Sequence, residues 1–271
     1  MNGASREALA AARERLDALT DATSVDAARL ADELAAVTAL LHREVSLRRV
    51  LTDPAQPGEA KAELVRRLLG AQVGGETADL VAGMVRSRWS QSRDLVDALE
   101  VLADTADLTA AQQDGSLDNV EDELFRFGRI VASSTELRAA LTDRKATASA
   151  KSELLHSLLG GRAAPATERL VTRLVTAPRG RSLEAGLESL SKLAADRRDR
   201  MVAVVTSAVP LSDVQKQRLG AALAKLYGRR MHLNLDVDPS VLGGIRVQVG
   251  DEIINGSLAD RIADAERRLA S

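Results

Sequence analysis

A chain of 271 residues is long enough for two or three domains with cores of their own. Its 37 Lys and Arg against 39 Asp and Glu give a formal charge of −2, spread along the chain without blocks, so no nucleic-acid footprint follows. Cysteine is absent, which excludes disulfides, thiolate metal ligands and a cysteine nucleophile and fits a reducing compartment. The only aromatic residues, Trp89, Phe125, Phe127 and Tyr227, are too few for a stacking surface.

The N-terminal stretch from Ser5 to Leu16 mixes alanines with charges such as Arg6 and Glu7 and lacks the apolar centre of a secretory signal. No apolar run approaches the roughly 18–20 residues that span a bilayer. A cytoplasmic protein without direct membrane insertion is expected, held at any membrane by partners. Helical stripes then follow. Leu30, Leu34, Val37 and Leu41 mark one, and Leu64, Val65, Leu68 and Leu69 mark another, stopped by Gly70 near the expected C-cap. Leu80, Val81, Met84 and Val85 give a third, and a longer helix through Leu95, Leu99 and Leu102 closes the set. Helices this short must pack together as a bundle.

The chain then repeats itself. Asp32, Glu33 and Leu34 fall on Asp122, Glu123 and Leu124, and Leu47, Arg48, Leu51, Thr52 and Asp53 fall on Leu137, Arg138, Leu141, Thr142 and Asp143, each pair 90 positions apart. The same shift superposes Lys61, Glu63, Leu64 and Gly70 on Lys151, Glu153, Leu154 and Gly160, then Thr77, Leu80 and Val81 on Thr167, Leu170 and Val171. A single insertion later moves Leu99, Leu102 and Ala103 onto Leu190, Leu193 and Ala194. Matched Asp, Lys, Thr and Gly exceed what a shared Leu and Ala bias can produce, so the pattern reads as a copied helical unit.

The last part changes period. Met201–Val209, ended by Pro210, reads as a strand, and Ser212 with Gln215 forms a capping box for a helix carrying Leu219, Ala222, Leu223 and Leu226 and ending near Gly228. Met231, Leu233, Leu235 and Val237 alternate with His232, Asn234 and Asp236, and Ile245, Val247 and Val249 alternate with Arg246 and Gln248, the period of half-buried strands. Gly250 and Asp251 turn the chain into Glu252, Ile253 and Ile254 as a two-residue hairpin loop of the II′ kind. Ser257 caps a final helix with Leu258, Ile262, Ala265 and Leu269 on one face. The fold class expected is mainly α: two tandem helical bundles, residues 1–107 and 108–199, followed by a small C-terminal α/β module, residues 200–271.

The run DVDPSVLGGIRVQVGDEIINGSLADRI resembles the C-terminal signature of the F-type ATP synthase delta subunit, the oligomycin-sensitivity-conferring protein family. The matching positions are Pro239, Leu242, Gly243, Gly244, Gly250, Asp251, Gly256 and Ser257. The resemblance implies a non-catalytic stator subunit on the cytoplasmic face of the cell membrane, joining the catalytic head to the peripheral stalk so that the head stays still while the rotor turns. It implies two partners, the N-terminal helices of the head's alpha subunits, received by a helical bundle, and the b subunit of the stalk, met by the C-terminal module. Family members have one bundle where this chain has two, and alanines and charges stand where the family usually has an aromatic in its first helix, so either copy could receive the alpha-subunit helices. Leu258, Ile262 and Leu269 are the candidate stalk contact, with packing on the sheet as the competing role of the same stripe.

Other sites find little support. Gly256 and Ser257 before a helix could cradle phosphate, but no GxxxxGK[ST] loop and no strand-to-helix GxGxxG is present, and turn geometry is the better reading. His42, His156 and His232 lie in separate elements without metal-ligand spacing, and Ser133 and Ser134 lack a GxSxG frame. The pairs Asp32 and Glu33, and Asp122 and Glu123, sit beside basic residues and read as solvated helix faces. No catalytic residue, cofactor or metal is assigned. Trp89, among Arg86, Ser87, Arg88 and Ser90, is either an interface anchor or the closure of the first bundle. The rival to the stator reading is a general helical-repeat adapter capped by its C-terminal module.

Overall fold

The structure, a computed structural model, describes residues 2–21, 25–198, 201–227, 231–239, 241, 244–249 and 252–255. Among the described residues eleven helices come first: α1 (Gly3–Asp21), α2 (Ala27–Arg43), α3 (Val45–Thr52), α4 (Gly58–Leu69), α5 (Gly75–Arg86), α6 (Ser92–Gln113), α7 (Leu117–Ser133), α8 (Thr135–Thr142), α9 (Ala148–Leu159), α10 (Pro165–Thr176) and α11 (Leu183–Arg198). The module follows as β1 (Met201–Ser207), α12 (Asp213–Tyr227), β2 (Met231–Val237), β3 (Ile245–Val249) and β4 (Glu252–Asn255). The mainly helical class with a small α/β module is as expected. The bounds of α2, α3, α4 and α5 recur 90 residues later in α7, α8, α9 and α10.

Local chemistry starts these helices. Asp26 Oδ1 accepts the amides of Ala28 and Arg29 at 3.0 Å to cap α2, Ser134 Oγ caps α8 and Thr147 Oγ1 caps α9. Pro165 opens α10, where its missing N–H costs nothing. Gly70 and Gly160 do stand at the ends of α4 and α9, for a reason other than left-handed backbone. Gly70 is right-handed at φ −61°, and a Cβ at either position would lie 2.6 Å from the carbonyl oxygen of Arg66 or His156.

Contacts divide the chain into Met1–Arg197 and Arg198–Ser271. Within the first unit one core gathers Leu16, Leu34, Leu80, Leu95, Leu99 and Leu102 and runs as far as Ala106. A second opens at Leu108 and includes Val120, Leu124, Leu141, Leu155 and Val171. Both cores draw on α6. Fifteen of its 22 residues are buried, too many for a single stripe, so this helix is covered from both sides. It is the last helix of the first copy, and residues 93–111, its greater part, stand 90 positions beyond α1.

In the second unit the sheet order is β2-β1-β3-β4. The β1–β2 pair is parallel, with Ala203 opposite Leu233, and α12 makes the crossover. The β1–β3 and β3–β4 pairs are antiparallel, with Val205 opposite Val247 and Val249 opposite Glu252. Ala203, Val205, Val247 and Val249 are buried together with Leu223 of α12. The capping box forms as read: Ser212 N donates to Gln215 Oε1 at 2.8 Å, and Gln215 N to Ser212 Oγ at 3.4 Å. The Gly250–Asp251 turn, Gly228 and the final helix from Ser257 lie outside the described residues.

One expectation is corrected. Glu33 and Glu123 do not lie on solvated faces: each reaches across to cap a distant helix. Glu33 Oε2 accepts the Gly74 amide at 2.9 Å and the Thr77 hydroxyl, tying α2 to the start of α5. Glu123 repeats the device 90 residues later, accepting the Ala164 amide at 3.0 Å and the Thr167 hydroxyl at 2.5 Å, and so ties α7 to α10. Burial would raise the Glu33 carboxyl, but Thr77, Arg29 and the Gly74 amide together hold it below its ordinary 4.5. Its contribution to stability is therefore present above that value and lost as pH falls through the depressed one. Glu33→Ala and Glu123→Ala should each cost about 1–2 kcal/mol in urea unfolding at pH 7, and the Glu33→Ala deficit should shrink below pH 4.

Candidate partner-binding surfaces

The chemistry of the helical unit concentrates on one face of α6. Asp97, Glu100, Asp104 and Asp107 follow one another at helical spacing and line up on a single side. Glu100 and Asp107 are buried at 5% and 0% side-chain exposure, so each carboxylate needs a cation. The second copy supplies them. Arg173 Nη1 lies 2.6 Å from Asp104 Oδ1 and its Nη2 lies 2.7 Å from Asp107 Oδ2, while Arg169 Nε reaches Asp107 Oδ1 at 2.5 Å. Glu100 is held by Arg179 and by Arg181 at 2.6 Å. Arg179 adopts φ +48°, a left-handed conformation that a side chain with a Cβ resists. Its carbonyl accepts from Arg93 Nη2 at 2.5 Å, which pins that strained turn to α6.

A second clamp joins the far ends. Arg197 of α11 places Nη1 2.7 Å from Asp17 Oδ1 of α1 and Nε 2.7 Å from Gln112 Oε1 of α6. Gln113 Nε2 donates to the Thr20 carbonyl at 3.0 Å. Burial pushes the Asp104 carboxyl up to about 6, Arg173 offsetting this only in part because Glu100 and Asp107 add to it. For Arg173 burial works the other way, yet two carboxylates outweigh it and its pKa is raised. The asymmetry has a simple cause: the arginine faces two acids, whereas Asp104 faces one cation with an acid on either side.

Between α1, α6, α10 and α11 a cleft of about 350 Å3 remains. Leu170, Leu174 and Leu190 line it from inside, and Arg13, Lys192 and Asp196 stand among its charged lining. The three leucines are themselves buried, so the accessible rim of the cleft is largely charged. Trp89 lies elsewhere, in the first core at 6% exposure, its Nε1 donating to the Met84 carbonyl at 2.8 Å. The tryptophan thus closes the first bundle.

Of the eight signature positions, Pro239 and Gly244 are described. Pro239 is exposed just after β2, in a turn where Val241 N donates to the Asp238 carbonyl at 3.1 Å. Gly244 adopts φ +92°, which disfavours any residue with a Cβ. Leu242, Gly243, Gly250, Asp251, Gly256 and Ser257, and the stalk candidates Leu258, Ile262 and Leu269, lie outside the described residues. His42 is exposed, and His156 Nδ1 lies 2.6 Å from Glu168 Oε1 at the surface. Ser133 donates to the Ile130 carbonyl at 3.0 Å, and Ser134 caps α8. Among the described residues no cluster of three His, Asp or Glu is placed to hold a metal, and no helix is long and apolar enough to cross a membrane.

The acidic face of α6 escaped the sequence reading, although a signal was available. Arg169, Arg173, Arg179 and Arg181 stand where the first copy has Asp79, Gly83, Trp89 and Gln91. Positions at which a repeat breaks its own pattern with four like charges point to a buried opposite charge nearby.

The family model for the ATP synthase delta (OSCP) subunit matches residues 105–269. The chain is 84% identical to the ATP synthase subunit delta of Streptomyces coelicolor, covering 100% of this chain and 99% of that protein. It is 50% identical to the subunit of the same name from Thermobifida fusca, covering 100% of both. That of Frankia alni is 48% identical over 99% of each.

The buried ladder yields paired predictions. Asp107→Asn uncouples two arginines from their shared acid and should cost about 3–5 kcal/mol in urea unfolding. Asp104→Asn should behave in the opposite sense. An acid raised from 3.8 to about 6 stabilises the fold below 3.8, and that contribution is lost as pH rises through 6. At about 1.36 kcal/mol per pKa unit the variant should exceed the parent by up to about 3 kcal/mol at pH 8. The gain should narrow below pH 6, and a gain independent of pH would contradict this reading.

Proposed function

The chain belongs to the ATP synthase delta (OSCP) subunit family, and from that premise we propose that it is the non-catalytic stator connector of a proton-translocating ATP synthase. The observation that carries this reading is the match to delta subunits along the whole chain, at 84% identity in one case. In the proposed arrangement the helical unit holds the N-terminal helices of the head's alpha subunits, and the C-terminal module holds the b subunit of the stalk. The protein sits at the cytoplasmic face of the membrane, peripherally, through these partners.

The physical requirement on such a connector is to oppose rotor torque without letting go. Two contacts on one body make the second attachment intramolecular, so the joint outlasts either contact alone. The body between them must also resist bending, and a helical unit whose two cores share α6 supports that demand. The cleft between α10 and α11 is our candidate for the head's amphipathic helices, because buried leucines lie there beneath a charged rim between helices. Residues 258, 262 and 269 remain the proposed stalk contact.

Affinity purification of the tagged full-length chain from gently solubilised membranes tests the proposal. Alpha and b subunits should both co-purify. A salt or carbonate wash should release the chain without detergent, as for a protein held by partners. Recovery of a well-folded chain with neither subunit attached would refute the stator role. Leu193→Glu, at the cleft, should reduce recovery of the head while leaving b-subunit binding in place.

A further inference from the structure

At one corner of the first copy, beside the start of α1 and the end of α3, lies an open hollow of about 730 Å3. Arg49, Val50 and Pro54 line one side, and Arg88 and Trp89 the other. Val50 is 47% exposed. Neither guanidinium has a carboxylate partner among the described residues, whereas Arg86 close by is held by Glu59 through two hydrogen bonds of 2.8 Å. The one acid in the lining, Asp53, is committed to its own turn, its Oδ1 accepting the Ala55 amide at 2.9 Å. The corner is therefore net positive with an aliphatic edge.

The floor is rigid. Ser5 Oγ donates to Asp94 Oδ2 at 2.7 Å and accepts the Ser90 amide at 2.8 Å, so α1, α6 and the loop before α6 are bolted together. The Trp89 indole is fixed by its bond to the Met84 carbonyl. A surface held in one shape spares a ligand the cost of ordering it. The repeat supplies an internal control: 90 residues on, Arg49, Val50, Arg88 and Trp89 become Ala139, Ala140, Pro178 and Arg179. Arg179 turns inward to Glu100, so the second copy keeps none of these features. The two exposed arginines are thus not part of what the copies share.

We propose that this corner docks a short acidic segment of a partner chain, its carboxylates meeting Arg49 and Arg88 while an aliphatic side chain covers Val50 and Pro54. The inference is independent of the head and stalk contacts, since it concerns a separate surface. Exposed, uncommitted arginines at the rim of a preformed hollow are the usual makings of an interface anchor.

The test is calorimetric titration of the full-length chain with a short acetylated, amidated peptide alternating Glu and Leu, against its Lys and Leu counterpart, at low and physiological salt. The acidic peptide should bind saturably, more weakly at higher salt, and shift the emission of Trp89, the sole tryptophan. Arg49→Glu and Arg88→Glu should each weaken binding about tenfold, a change typical of an anchor residue, with unfolding midpoints unchanged. Arg129→Glu, an exposed charge on α7, should leave binding intact. Equal binding of the basic peptide, undiminished binding to the Arg49→Glu/Arg88→Glu double variant, binding without a change in Trp89 emission, or equally tight binding of tripolyphosphate would overturn the proposal.

Discussion

Helix α6 is covered by both copies, and that shared burial constrains the rest of the helical unit. A helix buried along one stripe can carry its charges outward, but one buried from two sides must satisfy every charge inside. The first copy meets α6 with leucine and alanine. The second meets it with arginines aligned against Glu100, Asp104 and Asp107. One side supplies hydrophobic stability, and the other supplies register, because a bidentate arginine between two carboxylates tolerates little sliding.

This arrangement bears directly on the mechanical role proposed for the chain. Two bundles joined by a linker could hinge, and torque would bend the joint. With α6 common to both cores, and with Arg197 bridging α1, α6 and α11, relative motion of the copies would have to break buried ion pairs. The distant caps by Glu33 and Glu123 act in the same way within each copy, since each fixes a helix start to a neighbour far off in sequence. Stiffness in this unit thus comes from polar contacts laid over an aliphatic, loosely specifying core. That fits a chain with so few aromatic residues to lock its packing.

Much of the fold was legible because it is periodic. The apolar stripes through Leu34, Leu64 and Leu80, the repeat, the capping box at Ser212 and the alternation of Val247 and Val249 each follow from spacing that one element imposes. What escaped was the use of polar residues between elements. Glu33 and Glu123 look like surface acids when only their own helix is considered, and their partners lie 41 and 44 residues away. The double duty of α6 was hidden for a related reason: the division expected between residues 107 and 108 falls inside a continuous helix, and hydrophobic spacing does not tell one buried face from two. The delta-subunit resemblance rested on turn residues near the C-terminus, of which Gly244 has the positive φ that explains its glycine.

Whether the two copies stand or fall together can be measured at a single residue. Trp89 reports the first core alone, so a cavity made in the second core by Leu170→Ala, at a leucine 1% exposed, offers a clean perturbation. Such a substitution ordinarily costs about 2–5 kcal/mol. If α6 couples the cores, the urea midpoint followed by Trp89 fluorescence should fall with the loss of helix followed by circular dichroism. A Trp89 transition that stays at the parental midpoint while helix is lost earlier would show two independent bundles, and the shared-helix description would be wrong.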